Sequence, residues 1–488
     1  MDVTIAQGTF RGTRQGGVLS FKGVPYAAPP VGENRFAPPR PPLAHRGIAD
    51  ATGYGPTVST PPQRSAVIDA LLPDPVRPGE NGLNLNIWTP DTAGRRPVFV
   101  WIHGGGFATG AGSTTAFDGT AFARDGVVAV TINYRLAVEG FLLIPGTVPN
   151  RGLLDQVAAL QWVRENITAF GGDPDLVTVA GESAGAMAVL TLLTMPRAKG
   201  LIRRGISQSG DGHHVHSPEL AALVTTELCA SLEVAETAAA IAAVPEDKLH
   251  AVTNEVITRL TAGREPRYAE FRRLALQPVI DGDILPAHPA EAARDGATNE
   301  VDLLIGTNSD EYGLFVAPTG LGAMTSETLT GAVGRLGVDA EAMIAAYRGQ
   351  LPAATPAELF VAIQSDWFCR VPTIRYAEAR RAAGTDSYVY EFAWQPGTYD
   401  GRLGACHTLE IPFVFDTLDD PWGIELRGPD APRDLAAQVH GAWVRFVATG
   451  DPGWPRYGDT RTVRRLDVQS SLVQDPDEFR RLAWTGIV

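Results

Sequence analysis

The stretch TVAGESAGAMAVL, residues 178–190, passes directly from a strand-like apolar run into a helical run and places Ser183 at the junction. Gly181 and Gly185 flank the serine, where larger side chains would collide if a strand and a helix met this closely. The start of the helix also directs free N–H groups toward the same point. The pattern therefore predicts a tight strand–turn–helix elbow that exposes the serine hydroxyl.

The runs around this elbow predict an α/β fold. Short runs rich in Val and Ile, such as residues 97–102 and 127–132, end in Gly, Ser, Asn or Asp, and residues 152–170 carry apolar side chains at helical spacing. Apolar strands that alternate with helices indicate a mostly parallel central sheet with helices on both faces. Residues 1–22 are expected to form small antiparallel strands.

Two long stretches interrupt this alternation. Residues 217–275 and 318–382 are rich in Ala, Leu and Glu, and we interpret them as helical insertions. The sequence shows neither an internal repeat nor a low-complexity linker. We therefore predict a single α/β domain over residues 1–488, in which the insertions form a lid or secondary lobes.

Composition narrows the choice of partners. The 488 residues are 44% hydrophobic and 20% charged, with a formal net charge of −14, which disfavours nucleic acids and anionic membranes. No signal peptide is visible, and no apolar run reaches the ~18 residues that span a bilayer. Three widely spaced cysteines do not form a disulfide framework, so a cytoplasmic location without stable membrane insertion is predicted. Oligomeric state stays open.

A serine nucleophile also needs donors for the oxyanion that forms during acyl transfer, and a glycine-rich run supplies candidates. WIHGGGFATG, residues 101–110, has three consecutive glycines after a buried strand, where backbone N–H groups can approach a ligand. We assign the N–H groups of Gly105 and Gly106 as donors, with the N–H of Ala184 as the third.

These segments and several others resemble the type-B carboxylesterase family, the cholinesterase-like and para-nitrobenzyl esterase-like branch of the α/β-hydrolases. The resemblance covers nearly the whole chain. It is carried by FKGVPYAAPPVGENRFAPP, LNLNIWTP, WIHGGGF, NYR, GLLDQVAALQWVRENITAFGGDP, VTVAGESAGA, SQSG and HTLEIPFVF. It implies the α/β-hydrolase fold and ester hydrolysis at Ser183, with no metal and no cofactor.

The resemblance also implies an acid and a base that follow the serine in the order Ser, acid, His. In LLIGTNSDEYG the family pattern makes Glu311 the acid, while Asp310 also suits a structural carboxylate of a turn or helix cap. Tyr312 stands where the family usually has glycine. His407 precedes EIPFVF, as the base does in the family.

Other polar residues near these motifs receive supporting or structural roles. Glu182 and Ser209 resemble family residues in a buried polar network near the histidine. His103 is expected to shape the glycine loop, and His440, at helical spacing, to be structural. Cys406 is interpreted as a small buried hydrophobe rather than a reactive thiol.

The segment HHVH, with His213, His214 and His216, has a spacing that suits no zinc motif. It follows a strand end, so these histidines either line the binding pocket or belong to a solvated loop. Glu139 stands where relatives have an apolar residue, and it would need a partner if it were buried.

The function predicted from the sequence is a serine carboxylesterase of broad specificity for small to medium neutral esters. Extracellular relatives close the loop before LNLNIWTP with a disulfide, and this chain has no cysteine there. Choline-binding relatives place a tryptophan in that loop, and residues 59–81 contain none, which disfavours cholinesterase activity. Acyl transfer or lactone chemistry with the same three residues is one alternative. A non-catalytic binding or scaffold member of the fold is the other, although such relatives usually lack part of the triad.

Overall fold

The computed structural model describes residues 1–61, 66–263, 265, 267–268, 271, 274–317, 324–476 and 478–487. Its strands are β1 (Asp2–Ile5), β2 (Gly8–Arg11), β3 (Thr13–Gln15), β4 (Val18–Pro25), β5 (Ile48–Asp50), β6 (Asn84–Thr89), β7 (Arg96–Ile102), β8 (Val128–Ile132), β9 (Gly172–Glu182), β10 (Arg204–Gln208), β11 (Asp302–Asn308), β12 (Tyr388–Phe392), β13 (Thr462–Leu466) and β14 (Ser471–Gln474).

The α-helices are distributed along the same residues. They are α1 (Ala66–Leu71), α2 (Thr120–Arg124), α3 (Ala137–Phe141), α4 (Arg151–Asn166), α5 (Ala184–Leu192), α6 (Pro218–Leu232), α7 (Ala238–Ala242), α8 (Glu246–Thr261), α9 (Pro289–Arg294), α10 (Gly313–Val316), α11 (Ser326–Gly334), α12 (Ala340–Gln350), α13 (Pro356–Ser365), α14 (Val371–Ala382), α15 (Ile411–Val414), α16 (Ile424–Arg427), α17 (Arg433–Thr449) and α18 (Glu478–Ala483). A π-helical turn, Asp366–Arg370, joins α13 to α14.

Among the described residues, the central sheet has eleven strands in the order β14-β13-β12-β11-β10-β9-β7-β8-β6-β4-β3. All neighbours from β13 across to β8 are parallel, whereas β14 and the strands from β6 outward pair antiparallel. The prediction of a mostly parallel sheet is therefore confirmed. A second, small sheet holds β1, β2 and β5 near the N-terminus.

Alternating side chains of β7 pack into two different hydrophobic clusters, one on each face of the sheet. In β7, Val98 and Val100 pack on one face with residues of α4, while Phe99 and Trp101 pack on the other face with residues of α17. Successive side chains of a strand point to opposite faces, so a strand covered on both sides must be apolar at every position. This explains why the strand runs read as continuous apolar segments, and it confirms helices on both faces.

The two stretches expected to be helical insertions are built mainly of helices. The first contains α6, α7 and α8, and the second contains α11 to α14. Parts of these stretches, residues 264, 266, 269–270, 272–273 and 318–323, lie outside the described residues. In the part of the chain that is described, no helix combines the length and the apolar character needed to cross a bilayer.

Candidate active site

The functional residues proposed from the sequence follow the carboxyl ends of neighbouring parallel strands. Ser183 comes directly after β9, the glycine run after β7, Ser209 after β10, Glu311 shortly after β11, and His407 in the connection that follows β12. The carboxyl ends of parallel strands meet at one edge of the sheet, which is where ligands bind in open α/β folds. Segments more than 200 residues apart in the chain are thereby brought to one place.

The predicted elbow is present between β9 and α5. Ser183 adopts φ 56° and ψ −125°, a backbone conformation that is unusual for a non-glycine residue. Its N–H donates to the carbonyl of Gln208 on the neighbouring strand at 2.9 Å, and its own carbonyl accepts from the N–H of Met187 at 2.9 Å. A Cβ added at Gly185 would lie 2.0 Å from the carbonyl oxygen of Ile102, so only glycine fits where β7 and α5 approach each other.

The glycine run after β7 bends across the elbow. Gly105 and Gly106 both have positive φ values, 105° and 62°. A Cβ added at Gly104 would lie 3.0 Å from the Cβ of Ser183, so the loop backbone lies directly over the serine. His103 is buried, its Nδ1 donates to the Gly104 carbonyl at 2.8 Å, and its ring stacks on Tyr134. As expected from the sequence, His103 shapes the loop.

His407 and Glu311 are joined by a short hydrogen bond. Nδ1 of His407 donates to Oε2 of Glu311 at 2.6 Å, and both side chains are buried. The second carboxylate oxygen of Glu311 accepts from the N–H of Asn308 at 2.8 Å. The carboxylate is thus held from both sides, and Nε2 is the nitrogen of His407 that remains for acid–base chemistry.

Glu182 approaches that second nitrogen. Its Oε1 lies 3.2 Å from Nε2 of His407, and the side chain is buried. Burial lowers the pKa of His407, but the carboxylates of Glu182 and Glu311 outweigh this effect and raise the pKa to about 9. Burial in turn raises the pKa of Glu182 to about 8, although the neighbouring imidazole opposes this. The negative charge of Glu182 therefore favours the protonated form of His407.

The buried polar network near the histidine contains two residues that the sequence analysis missed, Glu410 and Gln208. Glu410 accepts from Nδ2 of Asn308 at 2.7 Å and from Nε2 of Gln208 at 3.0 Å, and Gln208 in turn accepts from the indole of Trp443 at 2.8 Å. Burial raises the pKa of Glu410. Its position three residues after His407 is the one signal in the sequence that pointed to it.

Ser209 is buried directly after β10, next to Gln208. It has a positive φ of 54° at the end of β10, and its N–H donates to the Gly306 carbonyl at 2.8 Å. Its hydroxyl forms no hydrogen bond with any described residue. The buried polar network therefore runs through Gln208, one residue earlier, and a supporting role for the Ser209 side chain stays a prediction.

The three histidines of HHVH form structural contacts, and none of them is among the described residues that line the cavity. Asp211, fully buried, lies 3.2 Å from Nδ1 of His213 and 3.1 Å from Nδ1 of His214. His216 is bonded to the carbonyl of Ala275 at 3.1 Å. The sequence analysis did not single out Asp211, which is the residue that organises the segment.

The remaining polar candidates are also accounted for. Asp310 accepts hydrogen bonds from the Ala405 N–H at 2.9 Å and from Gln395 at 3.0 Å, which fits the structural role considered for it. Glu139 pairs with Arg35 at 2.7 Å, which supplies the partner that its burial would require. Cys406 is buried.

His440 is likewise held within the structure. Its Nδ1 donates to the Val414 carbonyl at 2.7 Å, and its Nε2 lies 3.1 Å from Asp125. Both ring nitrogens are therefore occupied by structural partners, as its helical spacing indicated.

One group of described residues has the composition of a metal site. Ligand atoms of Glu311, Cys369 and His407 lie within 4.8 Å of one another. The hydrogen bond between Glu311 and His407 already accounts for the proximity of two of them. The Cys369 thiol is also engaged, because its Sγ donates to the Ser209 carbonyl at 3.5 Å. That the protein needs no metal ion stays a prediction.

These side chains border a cavity of about 500 Å³. Ser183, His407 and Glu182 lie on its wall together with Gly105 and Gly106. Most of the other described lining residues are apolar or aromatic, including Leu72, Phe117, Leu274, Tyr312, Leu314, Phe315, Trp367, Phe368, Ile411 and Trp422. A cavity of this size and character is typical of a small-molecule site.

A doubly covered parallel sheet with a serine elbow and a His–Glu pair at its carboxyl edge defines the class of α/β-hydrolases. The model of the carboxylesterase family matches residues 1–471. The chain belongs to this family and is a carboxylic ester hydrolase.

Individual relatives agree with this assignment. Over 505 residues the chain is 38% identical to a para-nitrobenzyl esterase of Bacillus subtilis (strain 168), and the match covers 98% of this chain and 97% of the relative. It is 32% identical to liver carboxylesterase 1 of Oryctolagus cuniculus, covering 96% and 89% of the two chains. A crystal structure of a Geobacillus stearothermophilus carboxylesterase superimposes with a TM-score of 0.86 at 37% identity, covering 99% of this chain and 100% of that one.

Proposed function

We propose that the chain hydrolyses its esters through an acyl-enzyme formed on Ser183, with His407 as the base and Glu311 as the acid that orients it. One observation carries this proposal: the 2.6 Å hydrogen bond between His407 Nδ1 and Glu311 Oε2, beside a cavity that Ser183 also lines. A serine hydroxyl is a weak nucleophile at neutral pH, and an oriented imidazole is what activates it.

In the proposed mechanism, Nε2 of His407 takes the proton of the Ser183 hydroxyl as its Oγ attacks the ester carbonyl. The N–H groups of Gly105, Gly106 and Ala184 bind the resulting oxyanion, and Glu311 stabilises the imidazolium. His407 then gives the proton to the leaving alcohol, and a water molecule repeats the sequence on the acyl-enzyme. No step calls for a metal or an organic cofactor.

The backbone of the glycine run supports the choice of oxyanion donors. Gly105 and Gly106 line the cavity, and Ala184 is the first residue of α5, so its N–H is one of those that a helix start leaves unpaired. Removal of a single donor of this kind typically raises the barrier by about 3 kcal/mol.

We also propose a preference for neutral esters of small to medium size. The volume of about 500 Å³ accommodates such molecules. Asp74 and Glu182 are carboxylates on the cavity wall, and the described lining residues include neither lysine nor arginine. A substrate carboxylate would therefore find no lysine or arginine among these residues to pair with.

A panel of p-nitrophenyl esters tests this preference. Hexanoate should be turned over with a kcat/KM at least about tenfold higher than that of the adipate monoester, which has the same chain length and a terminal carboxylate. The comparison should be repeated at several ionic strengths, because electrostatic exclusion weakens with added salt. Equal kcat/KM values for the two esters would contradict the charge argument.

The pH profile tests the pairing of Glu182 with His407. Glu182→Gln removes a negative charge 3.2 Å from Nε2 and so destabilises the imidazolium. The pKa of His407 should fall, and the neutral base should become available at lower pH. We expect the ascending limb of kcat/KM against pH to move down by about one unit.

Glu410→Gln is the matched control for that experiment. Glu410 is bonded to Asn308 and Gln208 rather than to His407, so the limb should move by less than in the Glu182 variant. A limb that moves upward, or stays in place, in Glu182→Gln would show that the carboxylate does not control the base.

Two further proposals concern the chain as a whole. The helical insertions supply Asn254, Thr261, Trp367 and Phe368 to the cavity wall, which supports their role as lobes over one catalytic domain. The three cysteines are buried free thiols, which supports the cytoplasmic location proposed from the sequence.

A further inference from the structure

Two aromatic side chains of the cavity wall lie on the π-helical turn Asp366–Arg370. Trp367 and Phe368 both line the cavity, and the ring of Phe368 lies 6.3 Å from that of His407. A π-helical turn is wider than an α-helical one, is rare, and occurs frequently at functional sites. The direction of these two side chains depends on what holds the turn in place.

Asp366, immediately before this aromatic pair, is the anchor of the turn. Its side chain is completely buried and binds Arg370 within the turn and the hydroxyl of Tyr347 on α12. Its Oδ2 also lies 3.0 Å from Nε of Arg480 on α18. A buried carboxylate is stable when it is paired in this way, and removal of one partner is costly.

The last described helix, α18, and the residues after it also contact Tyr347, the partner of Asp366. Trp484 is fully buried and its indole N–H donates to the Tyr347 hydroxyl at 2.8 Å. Phe479 packs its ring edgewise on Tyr347 at 5.4 Å. Three residues of this segment, Phe479, Arg480 and Trp484, therefore converge on the pair formed by Tyr347 and Asp366.

The turn is also fixed on the side of the catalytic loops. Ser365, the residue before it, accepts a hydrogen bond from the N–H of Tyr312 at 3.0 Å, one residue after Glu311. Arg370 donates to the carbonyls of Asn308 and Ser309. The π-helical turn that carries Trp367 and Phe368 is thus bound by the segment around Glu311 on one side and by α18 on the other.

We propose that Arg480 and Trp484 are specificity-determining positioning residues, which hold Trp367 and Phe368 as a fixed wall that limits the length of the acyl chain. This inference rests on the proposed function, because it takes the cavity beside Ser183 to be the acyl site. Neither residue touches the cavity. Their effect passes through Tyr347 and Asp366.

The test uses two mild variants of the full chain. Trp484→Phe keeps an aromatic ring but loses the N–H donor, and Arg480→Gln removes the charge that faces Asp366. With the wall released, the ratio of kcat/KM for p-nitrophenyl octanoate to that for the acetate should rise about fivefold. The change should appear in KM for octanoate, while kcat for acetate stays within about twofold of wild type.

Arg481→Gln is the matched control, because Arg481 lies on the same helix but pairs with Asp475 at 2.6 Å rather than with Asp366. It should leave the ratio unchanged. Active-site titration with an organophosphonate and thermal denaturation establish that each variant is folded. An octanoate-to-acetate ratio that stays at the wild-type value or falls in both folded variants would overturn the inference. If the organophosphonate does not titrate Ser183 in the wild-type protein, the proposed function itself would be overturned.

Discussion

Replacement of Ser183 by alanine is expected to lower kcat for p-nitrophenyl acetate by about a million-fold. The hydroxyl is the only part of the elbow that would form the acyl bond, and alanine cannot replace it. The remaining rate should come from the oxyanion donors and from substrate binding, which act without a nucleophile. Steady-state kinetics and labelling with a fluorophosphonate probe measure the two consequences separately.

Ser207→Ala provides the control for this variant. Ser207 is a buried serine of the neighbouring strand β10, and its hydroxyl donates to the Gly210 carbonyl at 3.1 Å. Its loss should cost about 1 kcal/mol of unfolding free energy and leave labelling intact. Probe labelling that persists in Ser183→Ala would mean that another residue is the nucleophile.

Glu311→Gln is expected to lower kcat by about ten-thousand-fold, for a reason that follows from its hydrogen bonds. The Asn308 N–H donates to Oε1 of Glu311 at 2.8 Å, so it will hold the amide oxygen of a glutamine in that position. The amide NH₂ must then face Nδ1 of His407. Nδ1 becomes an acceptor, the ring proton moves to Nε2, and the imidazole is in the wrong tautomer to take a proton from Ser183.

Asp310→Asn is the control that separates the two adjacent acids. The Asp310 carboxylate binds the Ala405 N–H and Gln395, and an asparagine oxygen can accept from the same donors. Activity should stay near that of the wild type, with a small loss of thermal stability. A loss of activity in Asp310→Asn together with an active Glu311→Gln would reverse the assignment of the acid.

The sequence was most informative where local chain geometry determines the chemistry. The elbow at Ser183 could be predicted because a strand, a tight turn and a helix each have a recognisable residue pattern, and here the three patterns adjoin within a few residues. The fold followed from the alternation of apolar strands and helices. The positions of Glu311 and His407 followed from the resemblance to a family rather than from any periodic pattern.

Contacts between distant segments could not be predicted in the same way. Glu410 contacts Gln208, 202 positions away, only because Gln208 ends β10, Glu410 lies in the connection after β12, and both strands end at the same edge of the sheet. Glu139 pairs with Arg35 across 104 positions. No local sequence pattern predicts such pairs, because the distance between the two residues depends on the complete topology of the fold. The π-helical turn at Asp366–Arg370 has a similar explanation, because its anchors come from α12 and α18.

The arrangement of this site also bears on how the enzyme could diversify. The groups proposed to make and break bonds are attached to the ends of sheet strands, whereas Asn254, Thr261, Trp367 and Phe368 reach the cavity from the helical insertions. Part of the substrate-contacting wall is therefore encoded in stretches of the gene separate from those of the bond-making groups. Directed-evolution libraries confined to the insertions would vary this part of the cavity wall while Ser183, Glu311 and His407 stay unchanged.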